Sequence, residues 1–145
     1  MSEGGQKDQG AIDWEDLRAK AVEVQSRAHA PYSGFFVGAS LLGDDGVVYV
    51  GANVENASYG LTICAERNAI AAAVAAGTRR FTALAVVTPA KKAATCCGAC
   101  RQVLAEFPPS FPVLCFTNSG DEIMTSVTEL LPYAFGPGHL DGDGG

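Results

Sequence analysis

Two short segments carry residue types that do chemistry at this spacing: Cys64-Ala65-Glu66, and Cys97-Gly98-Ala99-Cys100 some thirty residues later. Each stands where a helical pattern begins. In a Cys-x-x-Cys at a helix start both thiolates can reach one ion, because residues three apart are neighbours on a helix. Cys64 adds a third ligand from a separate segment. Three protein ligands leave one tetrahedral position open, the arrangement of a catalytic zinc rather than a closed structural one. Glu66 lies two residues from Cys64, and residues two apart do not share a helix face. Both can approach one ion only if it lies beyond the helix N-terminus, with Glu66 in the first turn. There the carboxylate need not be a ligand and can act on whatever fills the open position, a water whose pKa the ion draws toward about 7.

Charge sets a condition on this reading. A divalent ion with three thiolates carries a net charge of about −1, which weakens it as a Lewis acid. Two helix N-termini aimed at the site, each equivalent to roughly +0.5 charge, offset part of that. Arg67, beside Glu66, can supply more by donating to the cysteine sulfurs. Two other readings stay open. A Cys-x-x-Cys also fits a redox dithiol. A closed structural zinc would need a fourth ligand, for which Cys96 is at hand, although in a regular backbone its side chain points away from that of Cys97. The upstream Cys-Ala-Glu favours the catalytic site.

The elements that must hold these residues are legible in outline. Leu17, Ala21 and Val24 recur at four- and three-residue spacings with Ile12 ahead of them, which predicts an amphipathic helix over about 12–30, ended by Pro31. Strands follow at about 35–42 and 47–53, joined by Gly43-Asp44-Asp45-Gly46 as a hairpin. A helix starts near Cys64 and runs through an Ala-rich stretch to Gly77, and FTALAVVT at 81–88 reads as a buried strand. A third helix spans about 98–107 before Pro108-Pro109, and 111–117 is a second buried strand. Ser126 and Glu129 have capping-box spacing for a short helix at 127–131. A hairpin followed by helix–strand–helix–strand implies right-handed crossovers and a sheet with parallel members covered by helices.

The 145 residues make one domain, with 48% hydrophobic and 18% charged residues, a globular balance. A formal charge of −6 disfavours nucleic acid as partner, since gripping phosphates needs a basic patch. No apolar run approaches a membrane span, and the first ten residues lack the apolar core of a secretory signal. Five cysteines, an odd number, do not look like a disulfide framework; the expected setting is the cytoplasm. Cys115, within PVLCF, reads as a buried inert thiol. Residues 1–11 and 139–145 are polar and Gly-rich and read as a disordered N-terminal and a flexible C-terminal tail around a domain at 12–138. Trp14 reads as packing on the first helix, and His29 and His139 as surface residues.

At these residues the chain resembles the small homotetrameric cytidine deaminases. The matching stretches are Pro31-Tyr32-Ser33 with Phe35-x-Val37-Gly38-Ala39, the run from Asn53 through Glu55 and Tyr59 to Gly60, Cys64 through Ile70, Cys97 through Val103, and Leu130-Leu131-Pro132-x-Ala134-Phe135. They occur in order across residues 12–138. The resemblance implies an α/β fold, a three-layer α/β/α sandwich on a mixed, mostly parallel five-stranded sheet. It implies one Zn²⁺ per chain on Cys64, Cys97 and Cys100, with Glu66 shuttling protons as water attacks C4 of the base and ammonia leaves. Asn53 and Glu55 would bind the ribose hydroxyl and Phe35 would pack on the nucleoside. Tyr59 and Phe135 would complete pockets at the subunit interfaces of a homotetramer, and the pathway would be pyrimidine salvage. One departure stands out: the family usually has proline before the Cys-x-x-Cys, and here the residue is Cys96, read as a bystander thiol.

Bland alternatives exist for several of these. Phe35 and Phe135 can be packing aromatics, and Asn53 and Glu55 can simply finish a strand and begin a turn. At the level of function, the leading expectation is a hydrolase acting on free cytidine and deoxycytidine. A deaminase for another aminopyrimidine would have no use for a ribose pair. Polynucleotide editing fits poorly with the acidic charge and the lack of a basic, aromatic-rich extension. A zinc-binding interaction module would have no use for Glu66, and a redox protein would purify without stoichiometric zinc.

Overall fold

The structure, a computed structural model, describes residues 11–140. Of the tails expected at 1–11 and 139–145, residues 1–10 and 141–145 lie outside the described residues, while His139 and Leu140 belong to a 3-10 turn, Pro137–Leu140, and His139 stacks on Phe135. In chain order the elements are α1 (Trp14–Gln25), β1 (Gly38–Gly43), β2 (Val48–Ala52), α2 (Ala65–Ala75), β3 (Phe81–Thr88), α3 (Gly98–Ala105), β4 (Pro112–Thr117), β5 (Glu122–Ser126) and α4 (Val127–Leu130). Two single 3-10 turns, Tyr59–Leu61 and Pro137–Leu140, complete them.

The five strands form one sheet in the order β2-β1-β3-β4-β5. β1 pairs antiparallel with both β2 and β3, β3 and β4 are parallel, and β5 returns antiparallel to β4. The sheet is therefore mixed, as expected, but "mostly parallel" needs correcting. β2, β3 and β4 do run the same way, each joined to the next through a helix, yet β1 inserts between β2 and β3. Only the β3–β4 pair is left as parallel neighbours. The two hairpin connections account for the antiparallel β1–β2 and β4–β5 pairs, since a short turn can only reverse the chain, and the insertion of β1 beside β3 makes the third. The second hairpin, which turns through Gly120 at φ +105°, makes an edge strand the sequence reading did not locate.

β3 and β4 are buried on both faces, which is why they read as unbroken apolar runs. Ala83, Ala85 and Val87 of β3, with Leu114 and Phe116 of β4, face Leu17 and Ala21 of α1. Leu84 and Val86, with Val113 and Cys115, face the opposite layer, built by Ala65, Ala69 and Ile70 of α2 and Cys100 and Leu104 of α3. Each fully buried leucine of this kind is worth about 1.5–3 kcal/mol relative to an exposed one. Trp14 packs at the edge of the first cluster, as expected.

Two glycines set how closely the helices approach. A Cβ on Gly38 would stand 2.1 Å from the Ala21 carbonyl oxygen of α1, and one on Gly51 would stand 2.4 Å from the Ala69 nitrogen of α2. Gly51 thus lets the helix that begins at Cys64 lie against β2. Among the described residues, no helix is long and apolar enough to cross a membrane.

Candidate active site

Cys64 is the N-cap residue of α2 and Cys97 the N-cap of α3, both in extended backbone (φ −73°, ψ 157° and φ −69°, ψ 167°). Neither side chain caps its own helix, so both thiols are free to turn outward. Cys100 lies in the first turn of α3, buried behind them. The Cys64 and Cys97 sulfurs are 3.9 Å apart. The Cys64, Cys97 and Cys100 sulfurs all lie within 4.8 Å of one another. Two sulfurs each about 2.3 Å from a tetrahedral ion stand roughly 3.8 Å apart, so the set fits zinc with little adjustment. Cys96 does not join it: its side chain is buried in the core with Cys115, which is also buried, as expected.

The positive charge around the sulfurs comes from where the sequence reading put it. Both helices aim their N-termini at the thiols. Arg67 Nη2 donates to Cys64 Sγ at 3.7 Å, and the buried Nε of the same guanidinium has no protein acceptor. The Cys64 thiol is pulled down to about 5, first by a hydrogen bond from Cys100, with Arg67 and Cys97 adding to it. Cys100 is pushed up, first because it is the donor in that bond and then by burial. A cation that replaces the shared protons is what this arrangement favours.

Glu66, 6% exposed, is on the first turn of α2 with its carboxyl pushed above the ordinary carboxylate range. Burial is the chief cause; the nearby negative charge of Cys64 adds to it, and a hydrogen bond from the Cys96 thiol opposes it. Glu66, Cys64, Cys97, Phe35 and Asn53 line one cavity of about 260 Å³. Glu55 and Tyr59 line a neighbouring cavity of about 300 Å³ that shares Thr62 with the first.

The strand-end pair has defined work in this fold. Asn53 Oδ1 accepts the Val37 N–H at 2.9 Å and its Nδ2 donates to the Phe35 carbonyl at 2.8 Å. The amide thereby holds the segment that presents Phe35, which is 43% exposed at the cavity mouth and precedes β1 instead of lying within it. Glu55 accepts from the Tyr32 N–H at 3.0 Å, the Ser33 N–H at 3.2 Å and the Ser33 hydroxyl. The Ser33 hydroxyl is the main reason its carboxyl lies below the usual range. Tyr59 is exposed, with its ring 6.0 Å from that of Tyr32. Phe135 lines neither cavity: its ring stacks on His139 at 5.3 Å, and Gln102 Nε2 donates to its carbonyl at 2.8 Å. His29 and His139 are exposed, as expected.

Sequence reasoning passed over Thr62, Thr88 and Thr95, which also line the first cavity. Isolated threonines carry no spacing signal, and only the convergence of three chain segments reveals them. The Thr88 hydroxyl is buried with no protein partner.

A family model described as the cytidine and deoxycytidylate deaminase zinc-binding region matches residues 13–115. The chain belongs to this deaminase family. It is 48% identical to a cytidine deaminase of Sporosarcina psychrophila over 86% of this chain and 92% of that protein. It is likewise 48% identical to one of Halalkalibacterium halodurans, over 86% of this chain and 95% of that protein. Among solved structures, the cytidine deaminase of Burkholderia pseudomallei is similar with a TM-score of 0.82 and 46% identity, covering 86% of this chain and all of that one. The Mycobacterium tuberculosis cytidine deaminase follows at a TM-score of 0.73 and 43% identity, covering 86% of this chain and 98% of that one. These matches bear out the three-layer α/β/α architecture. The family's zinc-binding region contains Cys64, Cys97 and Cys100, so zinc is the cofactor that both the family and the sulfur cluster indicate.

Proposed function

We propose that this chain catalyses the hydrolytic deamination of cytidine and deoxycytidine to uridine and deoxyuridine with release of ammonia, the chemistry of pyrimidine salvage. The observation that carries the reading is Glu66, a buried carboxyl of raised pKa on the wall of the cavity that the cysteine sulfurs also line. Cys64, Cys97 and Cys100 would hold the zinc, which supplies the Lewis acidity that makes water a usable nucleophile near neutral pH. Ionised Glu66 accepts a proton from the attacking water and delivers it to N3 of the pyrimidine as C4 is attacked. The second water proton, carried by the same carboxyl, goes to the exocyclic nitrogen, which leaves as ammonia; water and cytidine thus balance uridine and ammonia. A carboxyl pushed up by burial suits this task, because it holds a proton more readily than an ordinary carboxylate and so can both take and return one. Arg67 donates to Cys64 and offsets thiolate charge.

Substrate binding follows from the walls. Phe35 would pack on the nucleoside, held in place by Asn53. A carboxylate offers about four lone-pair sites, and Glu55 uses three on the Tyr32–Ser33 turn, which leaves one for a ribose hydroxyl. Asn53 would contribute to the same sugar contact from the strand end.

The same reading makes the enzyme a homotetramer with active sites near subunit interfaces. In support, Tyr59, on the wall of the second cavity, is 75% exposed and Phe135 is 56% exposed, large aromatic side chains that a neighbouring subunit could cover. Sedimentation of the purified chain checks this, with a monomer at micromolar concentration as the contrary result. The enzyme would work in the cytoplasm, where thiols such as these five free cysteines stay reduced.

The deciding assay follows the fall in cytidine absorbance with purified protein, alongside Glu66→Ala. Conversion to uridine that vanishes in the variant supports both the reaction and the proton carrier. No conversion by a protein holding one zinc per chain would overturn the substrate assignment.

A further inference from the structure

Arg101 follows Cys100 on α3, and its half-buried guanidinium makes three hydrogen bonds with short, well-defined geometry. Nε donates to the Cys96 carbonyl at 2.7 Å, Nη2 to the Thr95 hydroxyl at 2.6 Å, and Nη1 to the Leu130 carbonyl of α4 at 2.8 Å. Two of these acceptors belong to the segment that leads directly into Cys97. That segment is irregular backbone, anchored besides by the buried Cys96 side chain, and Cys96 has no ring to restrict its φ as a proline would. Yet it must place the exposed Cys97 sulfur within reach of Cys64 and Cys100, and Thr95 forms part of the cavity wall.

We propose that Arg101 is a positioning residue for the metal site, clamping the Thr95–Cys97 approach to both α3 and α4 so that the Cys97 sulfur is held at its ligating position. The planar fork suits this work. Its donors reach three acceptors in fixed directions, which the single ammonium of a lysine cannot do. Among the described residues its hydrogen-bond acceptors are uncharged, so what Arg101 contributes here is direction. The third bond, to Leu130, fastens the same clamp to the helix that seals the core beneath α3.

This inference rests on the reading of Cys64, Cys97 and Cys100 as zinc ligands, and its test reads the metal directly. Zinc release from the zinc-replete full chain to excess 4-(2-pyridylazo)resorcinol is timed for the unaltered protein, Arg101→Lys and Arg101→Gln. Leu17→Val, in the opposite helical layer, serves as a control for simple destabilisation. Both Arg101 variants should release zinc about tenfold faster than the unaltered chain, the usual scale for losing a group that orients a metal ligand. Leu17→Val should release it at the unaltered rate at the same temperature. The cobalt(II)-substituted Arg101→Lys protein should also show an altered thiolate-to-metal absorption band while remaining folded. Arg101 variants that release zinc no faster than Leu17→Val, with an unaltered cobalt band, would overturn the assignment alone. An unaltered chain that purifies without stoichiometric zinc would overturn the ligand reading and this inference with it.

Discussion

Among the described residues, the three long helices open in two different ways. α1 begins on Asp13, whose carboxylate accepts the Asp16 N–H at 3.0 Å, with Glu15 and Asp16 placing negative charge in its first turn. α2 and α3 begin on Cys64 and Cys97, and neither side chain bonds its helix. A good N-cap is worth about 1 kcal/mol, so two helices forgo that stabilisation at the residues that gather around the ion. The unfilled N–H groups and helix dipoles then point at thiolates, where positive potential is of use. The comparison shows a molecule that caps the helix remote from the site and leaves uncapped the two helices whose starts gather the thiols, the trade-off expected where a site needs residues that serve the fold poorly.

The strongest test of that contrast is Cys97→Ser. It should lose zinc and activity together, yet without metal it should be about 1 kcal/mol more stable to urea than Cys97→Ala, because serine caps α3 and alanine does not. Cys96→Ser should keep its zinc; loss of metal as complete as in Cys97→Ser would end the reading of Cys96 as a bystander. Next in size is Arg67→Ala, which should lower kcat/KM or zinc retention about tenfold while the fold survives, given the direct bond to Cys64. Unchanged activity and zinc content would show that the thiolate charge is balanced elsewhere.

A pH profile carries a smaller effect. Glu66 must be ionised to accept the water proton, and burial raises its pKa. The acid limb of kcat/KM should therefore lie above the ordinary carboxylate value of about 4.3, with activity lost as pH falls through it. A limb at or below that value would contradict the assignment. The smallest effect belongs to the other kind of helix start: Asp13→Ala should lower stability by about 1 kcal/mol and leave kcat/KM unchanged. A drop in turnover there would erase the distinction between the two layers.

What could be read from the sequence follows the same division. β3 was legible to the residue because burial on both faces writes an uninterrupted apolar run, and the starts of α2 and α3 were legible because cysteine there has a chemical reason. Ser126 accepts the Glu129 N–H at 3.3 Å, as the capping-box spacing expects. β5 was not legible: Glu122–Ser126 is an edge strand of exposed and half-buried residues, so no alternation marks it. Its position beside β4 is set by the local turn through Gly120, a signal the sequence does offer, and by the Arg18–Glu122 ion pair from α1, which is a long-range consequence of the fold. The same holds for Glu55 on the Tyr32–Ser33 turn and for Arg101, whose partners lie in separate segments. Sequence spacing reveals ligands that share one helix, whereas groups that orient them from across the fold leave no local pattern.

The central claim is that three cysteines hold the zinc while Glu66, not a ligand, moves the protons. The most direct measurement determines zinc per chain and uridine formation on the same preparations of the unaltered protein and Glu66→Gln. The account predicts one zinc in both and turnover reduced by roughly 10²–10⁴-fold in the variant, the scale of a lost general acid–base. Equal turnover, or zinc lost along with the carboxylate, would contradict it.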